Sequence, residues 1–264
     1  MAMLHRQLFI DAIENALGDT DYRLVGDSFY LYRPERGLVI KLSFDVLSGG
    51  SDFYIYGGAA AFCDKIEIWP DGQLSISGCD VSTYASCCGL PTFSNMNIDT
   101  ANILLARRYT KAQLSRGIAR NIDVFKKTLM PELLHMEGME DYFNFKVKAD
   151  GFRYYVPIPF PGINAFYLCL QLGKFREASH VCLMMLQRDA ENVRAICKNM
   201  LPDVINALGN TETPEIHSNA NTFERLDAQA KSIESVLNAR QDDLKVVLRQ
   251  RIDYSRTVCE KFFG

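Results

Sequence analysis

GDSFYLYRPERGLVIKLSFDVLSGGSDFYIYGG, residues 26–58, alternates apolar and polar positions with a period of two and is punctuated by Pro34-Glu35-Arg36-Gly37 and Ser48-Gly49-Gly50-Ser51. A period of two sends successive side chains to opposite faces of an extended chain, and Pro and Gly clusters mark where it turns. The segment predicts a three-stranded antiparallel meander. Upstream, Leu4, Leu8, Ala12, Ile13, Ala16 and Leu17 recur at helical spacing until Gly18, with Arg6, Asp11 and Glu14 opposite, which predicts an amphipathic helix. Downstream, KIEIWPDGQLSIS (residues 65–77) reads as a second hairpin turning at Pro70-Asp71-Gly72. Together these give a sheet of about five strands.

The pattern then returns to helix. Asp99 is placed to cap a short helix through Arg108, and Thr110-Lys111-Ala112-Gln113 reads as a capping box opening another. Leu114, Ile118, Ile122, Phe125 and Leu129 share one face of that second helix. YFNFKVKADGFRYYVPIPFPG (142–162) is a hairpin by composition, turning at Ala149-Asp150-Gly151 and ended by Pro157, Pro159 and Pro161. Helices are expected over 164–172, 175–188 and 191–208, then a polar linker, then one long helix from about 222 to 262. Its stripe of Phe223, Leu226, Ala230, Ile233, Leu237, Leu244, Val247, Val258 and Phe262 is interrupted by Arg240 and Arg251. The fold class is α+β: an N-terminal helix with an antiparallel meander sheet, then a mainly helical C-terminal half. It divides into residues 1–135 and 136–264, as two domains or as parts of one core. QLGKFREASHVCLMMLQRDAEN (171–192) is similar to the second half of a tetratricopeptide repeat, with Gly173 in the turn and Phe175 and Ala178 at helix contacts. One copy cannot stack into a solenoid, so an ordinary helical hairpin is expected.

A chain of 264 residues with 48% hydrophobic and 23% charged residues is ordinary for a globular protein, and its net charge of -3 argues against nucleic-acid binding through overall positive charge. Asp11 and Glu14 interrupt what a signal peptide would need as an apolar core, and no apolar run reaches about 18 residues. A cytoplasmic protein that neither enters nor crosses a membrane is expected. In that compartment the eight cysteines are expected as reduced thiols.

Cys79, Cys87 and Cys88 crowd one turn-rich segment, but their spacing matches no zinc knuckle, and His5, His135, His180 and His217 are scattered. Burial is the simpler account of these thiols and of Cys169, Cys182 and Cys197. Cys87 or Cys88 with His135 or His180 is the one nucleophile pair the composition allows, as an alternative enzymatic reading. No nucleophile elbow or phosphate loop occurs, and Gly49-Gly50 and Gly57-Gly58 read as turn and bulge positions. We expect no catalytic residue, metal or cofactor. Two surfaces are expected to bind a protein partner. The first is Asp64, Glu67, Trp69 and Asp71 around the second hairpin, where Trp69 is the only tryptophan. The second is a basic stripe of Arg116, Arg120 and Lys127, preceded by Arg107, Arg108 and Lys111.

The opening helix, Gly26-Asp27-Ser28-Phe29-Tyr30 and the strand Val39-Ile40-Lys41-Leu42 resemble the start of a group of bacterial domains often found as candidate immunity proteins. The likeness covers the first half of the chain. It implies a protein that binds and neutralises a cognate toxin, with no catalytic residues to carry over. The alternative is a helical adaptor that holds another chain through the tetratricopeptide-like hairpin and the terminal helix, which also offers a seam for a homodimer.

Overall fold

The computed structural model describes residues 2–46, 53–76, 123, 125–127, 129–150, 157–159, 162–188 and 220–264. Helix α1 (Ala2–Leu17) buries Phe9, Ile10, Ile13 and Leu17 along one side. Four strands follow in an antiparallel meander: β1 (Arg23–Val25), β2 (Ser28–Arg33), β3 (Leu38–Val46) and β4 (Phe53–Ala61). Strands β5 (Ile66–Ile68) and β6 (Leu74–Ile76) form a separate two-stranded ribbon, so the expected sheet of about five strands is a sheet of four beside a pair. The α+β class is the one expected, and the strands divide because β4 ends at a buried corner, Phe62-Cys63-Asp64, that redirects the chain.

Register assigns the faces, since directly paired residues in an antiparallel sheet point the same way. Leu31, Ile40 and Ala59 share one face with Phe29, Leu42 and Gly57. α1 covers it through stacking of Phe9 on Phe44 at 4.7 Å. Over Gly57 lies α2 (Leu129–Leu134): a Cβ there would stand 2.5 Å from Leu133 Cδ1. Gly57 and Gly58 pair in register with Leu42 and Lys41, so the expected bulge is absent and the glycine at 57 serves helix approach. The opposite face carries Tyr30, Lys41, Tyr32 and Val39, and Phe262 and Phe263 cap it at 5.2 Å from Tyr30 and 4.8 Å from Tyr32. Antiparallel alternation commonly marks a wet face, yet here the polar alternates Ser28, Lys41 and Ser43 are buried.

Helix α3 (Met139–Asp150) corrects the expected hairpin over 142–150. Tyr142, Phe143, Phe145 and Lys146 are buried, which is helical rather than alternating spacing, so packing overrides the β preference of these aromatics. Glu140 and Asp141 in its first turn and Lys148 in its last complement the helix dipole. Of the remainder of that segment, 157–159 and 162 are described, and Ile158 is fully buried.

Helices α4 (Ile163–Gln171) and α5 (Phe175–Arg188) form the expected hairpin. Gly173 turns at φ +68 while the Lys174 N–H returns to the Cys169 carbonyl at 2.9 Å, the bonding of a glycine-ended helix. Ala178 is fully buried, as the repeat-like reading requires. The expected helix over 191–208 and the linker before 220 lie outside the described residues. The single terminal helix is in fact two, α6 (Ala220–Ala239) and α7 (Gln241–Phe263), broken where Arg240 leaves helical geometry at φ -110, ψ 23. No Pro or Gly marks the break. Tertiary contacts set it, because α6 packs along α5 whereas α7 packs along β5 and α4. Leu226, Ala230, Ile233, Leu237, Leu244 and Phe262 are buried within the chain, so most of the stripe read as a dimer seam is already occupied. The buried side chains form one cluster that includes residues on both sides of 135/136.

Candidate functional site

The ribbon tip is built by Trp69-Pro70-Asp71-Gly72. Gly72 N–H donates to the Trp69 carbonyl at 2.9 Å, Trp69 N–H donates to the Gln73 carbonyl at 2.8 Å, and Gly72 takes φ +81. That pattern is a tight hairpin loop ending in a left-handed residue, which glycine adopts without a Cβ clash. Asp71 Oδ1 accepts from Gln73 N–H at 3.0 Å, fixing the turn. At the tip Trp69 is 49% exposed and Ile68 39% exposed. Two neighbouring large apolar side chains therefore face solvent on one ribbon.

Both arms of the ribbon are welded to the body. On the first, Ser255 Oγ of α7 donates to the Asp64 carbonyl at 2.7 Å and accepts from Ile66 N–H at 3.4 Å. On the second, Gln73 Oε1 accepts from Ser28 Oγ and Tyr30 OH, each at 3.4 Å, and from Lys41 Nζ at 3.5 Å. The buried polar face of the sheet thus terminates on a ribbon side chain. Buried hydrogen-bond donors need partners, and these hold the ribbon in one position.

Of the four ribbon residues expected at a contact surface, Trp69 and Asp71 are exposed, Glu67 is half-buried and Asp64 is buried. Asp64 is 1% exposed, which removes it from the expected contact surface. Its Oδ2 accepts from Ala61 N–H at 2.9 Å and Tyr142 OH at 2.8 Å. Burial raises its pKa above the usual carboxylate range, opposed by those two hydrogen bonds and by the charges of Lys146 and Arg251. Glu67 is ion-paired with Lys65 at 2.5 Å, and Asp71 is committed to its turn. Both remain beside the tryptophan as acidic neighbours.

Beneath the ribbon, Arg251 donates from Nε to the Cys63 carbonyl and from Nη2 to Asn164 Oδ1 at 2.7 Å, and its guanidinium lies 4.2 Å from the centre of the Tyr167 ring. The guanidinium therefore ties α7 to the β4 corner and to α4, using the planar fork that lysine lacks. Sequence reading did not find this cluster. Its one signal was Arg251 breaking the apolar stripe of the final helix.

Of the basic stripe, Arg116 and Arg120 lie outside the described residues. Lys127 is exposed and pairs with Asp123 at 2.6 Å one turn back, while Phe125 is buried. Cys79, Cys87, Cys88 and Cys197 also lie outside the described residues. Cys63, Cys169, Cys182 and Cys259 are buried thiols that form no disulfide. Burial pushes the Cys63 and Cys169 thiols up and raises Cys259 to about 12, which holds them in the unreactive protonated form. His180 is fully buried on α5, and His135 is exposed. Among the described residues no three His, Cys, Asp or Glu side chains gather where they could hold a metal, and no helix is long and apolar enough to cross a membrane.

No protein-family model matches the chain, and neither a curated protein nor a solved structure matches it.

Proposed function

We propose that this chain is a non-enzymatic binding protein that recognises a protein partner through the tip of the β5–β6 ribbon. Following the resemblance carried by residues 26–30 and 39–42, we take that partner to be a cognate bacterial toxin, which the chain neutralises in the cytoplasm as an immunity protein. The observation that supports the reading is the fixed presentation of Trp69 and Ile68, half-exposed on a ribbon anchored at both arms. An aromatic held in place before binding loses little conformational freedom when it docks, and tryptophan is prominent among interface residues that carry affinity. Glu67 and Asp71 flank it and suit a basic partner surface.

The test is to search the neighbouring genes for a toxin domain and to co-express this chain with it; absence of any such gene counts against the reading. Wild-type chain should protect the cells and Trp69→Ala should protect them much less while accumulating to the same level. If cells carrying both proteins die as fast as cells with toxin alone, the immunity reading is wrong. Because Trp69 is the only tryptophan, its fluorescence reports contact at the tip directly.

A further inference from the structure

A groove of about 570 Å³ runs between α7 and the α4–α5 turn. Its floor is apolar: Leu244, Leu248 and Leu170 are buried at its base, and Ile252 on the α7 side and Phe175 opposite are half-buried. Lys245, Arg249 and Arg256 stand along one ridge of α7, four and seven residues apart, with Asp253 as the acidic residue among them. Lys245 leans on Asp242 at 3.0 Å and Arg256 approaches Asp253 at 3.9 Å, all of them well exposed. Arg249 meets no carboxylate among the described residues. The groove follows α7 from Gln241 to Arg256, roughly 22 Å at helical rise, which is about four turns of a second helix laid alongside.

We propose that this groove receives an acidic amphipathic helix of a partner protein. Its apolar face would lie on Ile252 and Phe175, and its carboxylates, about one turn and then two turns apart, would meet Lys245, Arg249 and Arg256. An apolar floor beneath a cationic ridge is complementary to that occupant in both chemistry and length. Binding here is independent of the Trp69 contact, so either assignment stands if the other fails.

The test uses the full chain and a fluorescein-labelled helical peptide of about 16 residues, with leucines on one face and glutamates at i, i+4 and i+11. Saturable binding is expected, weakening as salt rises from about 50 to about 300 mM. The triple variant Lys245→Glu, Arg249→Glu, Arg256→Glu, shown by thermal melting to stay folded, should bind at least about ten-fold more weakly. Trp69→Ala should bind the peptide as wild type does. Lack of saturation, equal binding of a peptide with lysine at the three glutamate positions, or unchanged binding by the triple variant would overturn the proposal. So would displacement of the peptide by millimolar inorganic phosphate alone, which would mark a small-anion site. Concentration-dependent self-association that the triple variant abolishes would assign the groove to a second copy of the chain instead.

Discussion

The Tyr142 hydroxyl donates to the Asp64 carboxylate at 2.8 Å across 78 residues of chain, inside a fully buried corner where the sheet ends and the ribbon begins. The pair joins α3 to that corner. Tyr142→Phe should lower stability by about 1–3 kcal/mol, because it leaves the buried carboxylate one donor short. Urea denaturation at neutral pH measures this, and a loss below a few tenths of a kcal/mol would remove the pair from the account of the fold.

Burial also holds the Asp64 pKa above its unfolded value, so the folded chain keeps this proton at a pH where the unfolded chain has released it. Stability contributed by Asp64 is therefore greatest below the unfolded value of about 3.9 and declines as pH rises through the folded one. Asp64→Asn cannot ionise. The advantage of wild type over this variant should shrink from about pH 3 toward about pH 7 in paired urea titrations, and a difference independent of pH would contradict the shift.

His180 has the opposite sign. Burial, reinforced by Arg176 and opposed by Asp227, lowers its pKa to about 4. Between about 6.5 and that value the unfolded chain takes up a proton that the folded chain refuses, so stability falls as pH drops through this window by roughly 3 kcal/mol. His180→Gln should flatten the slope of stability against pH there. An unchanged slope would assign the acid sensitivity elsewhere.

Arg251 holds two oxygen acceptors and an aromatic face at once. Arg251→Lys keeps the charge and loses the fork, so a loss of about 1–3 kcal/mol is expected despite the conservative change. Limited proteolysis should then cut α7 earlier than in wild type. Equal protection in both proteins would show that the apolar contacts of α7 suffice to hold it.

Gly57→Ala would place a methyl 2.5 Å from Leu133 Cδ1 and 3.0 Å from Leu42 Cδ2, both on fully buried side chains. Overpacking of about 1–3 kcal/mol is expected. In a double-mutant cycle Leu133→Ala should recover part of that loss. Strict additivity would show that α2 does not press on this part of the sheet.

How much of this was legible in the chain depends on how local the physics is. The meander was readable at residues 26–58 because period-two alternation and Pro/Gly turns are properties of neighbouring residues, and the α4–α5 hairpin was readable through Gly173 for the same reason. The tight turn presenting Trp69 was equally local. Other features belong to partners far away in sequence. Residues 142–150 carry strand-favouring aromatics and fold as a helix because their buried face packs into the core, with Tyr142 reaching Asp64. Arg240 ends one helix and Arg251 anchors the next; as letters they were both interruptions of an apolar stripe. Asp64 was expected on a contact surface and is buried, because only the assembled chain brings Tyr142, Lys146 and Arg251 to it; Lys41 is likewise buried, beside Gln73. Sequence alone determined which segments alternate, coil and turn, since backbone geometry and neighbouring side chains decide that. The tertiary structure decided which polar groups leave water and which apolar ones stay in it, since desolvation is set by residues dozens to hundreds of positions away.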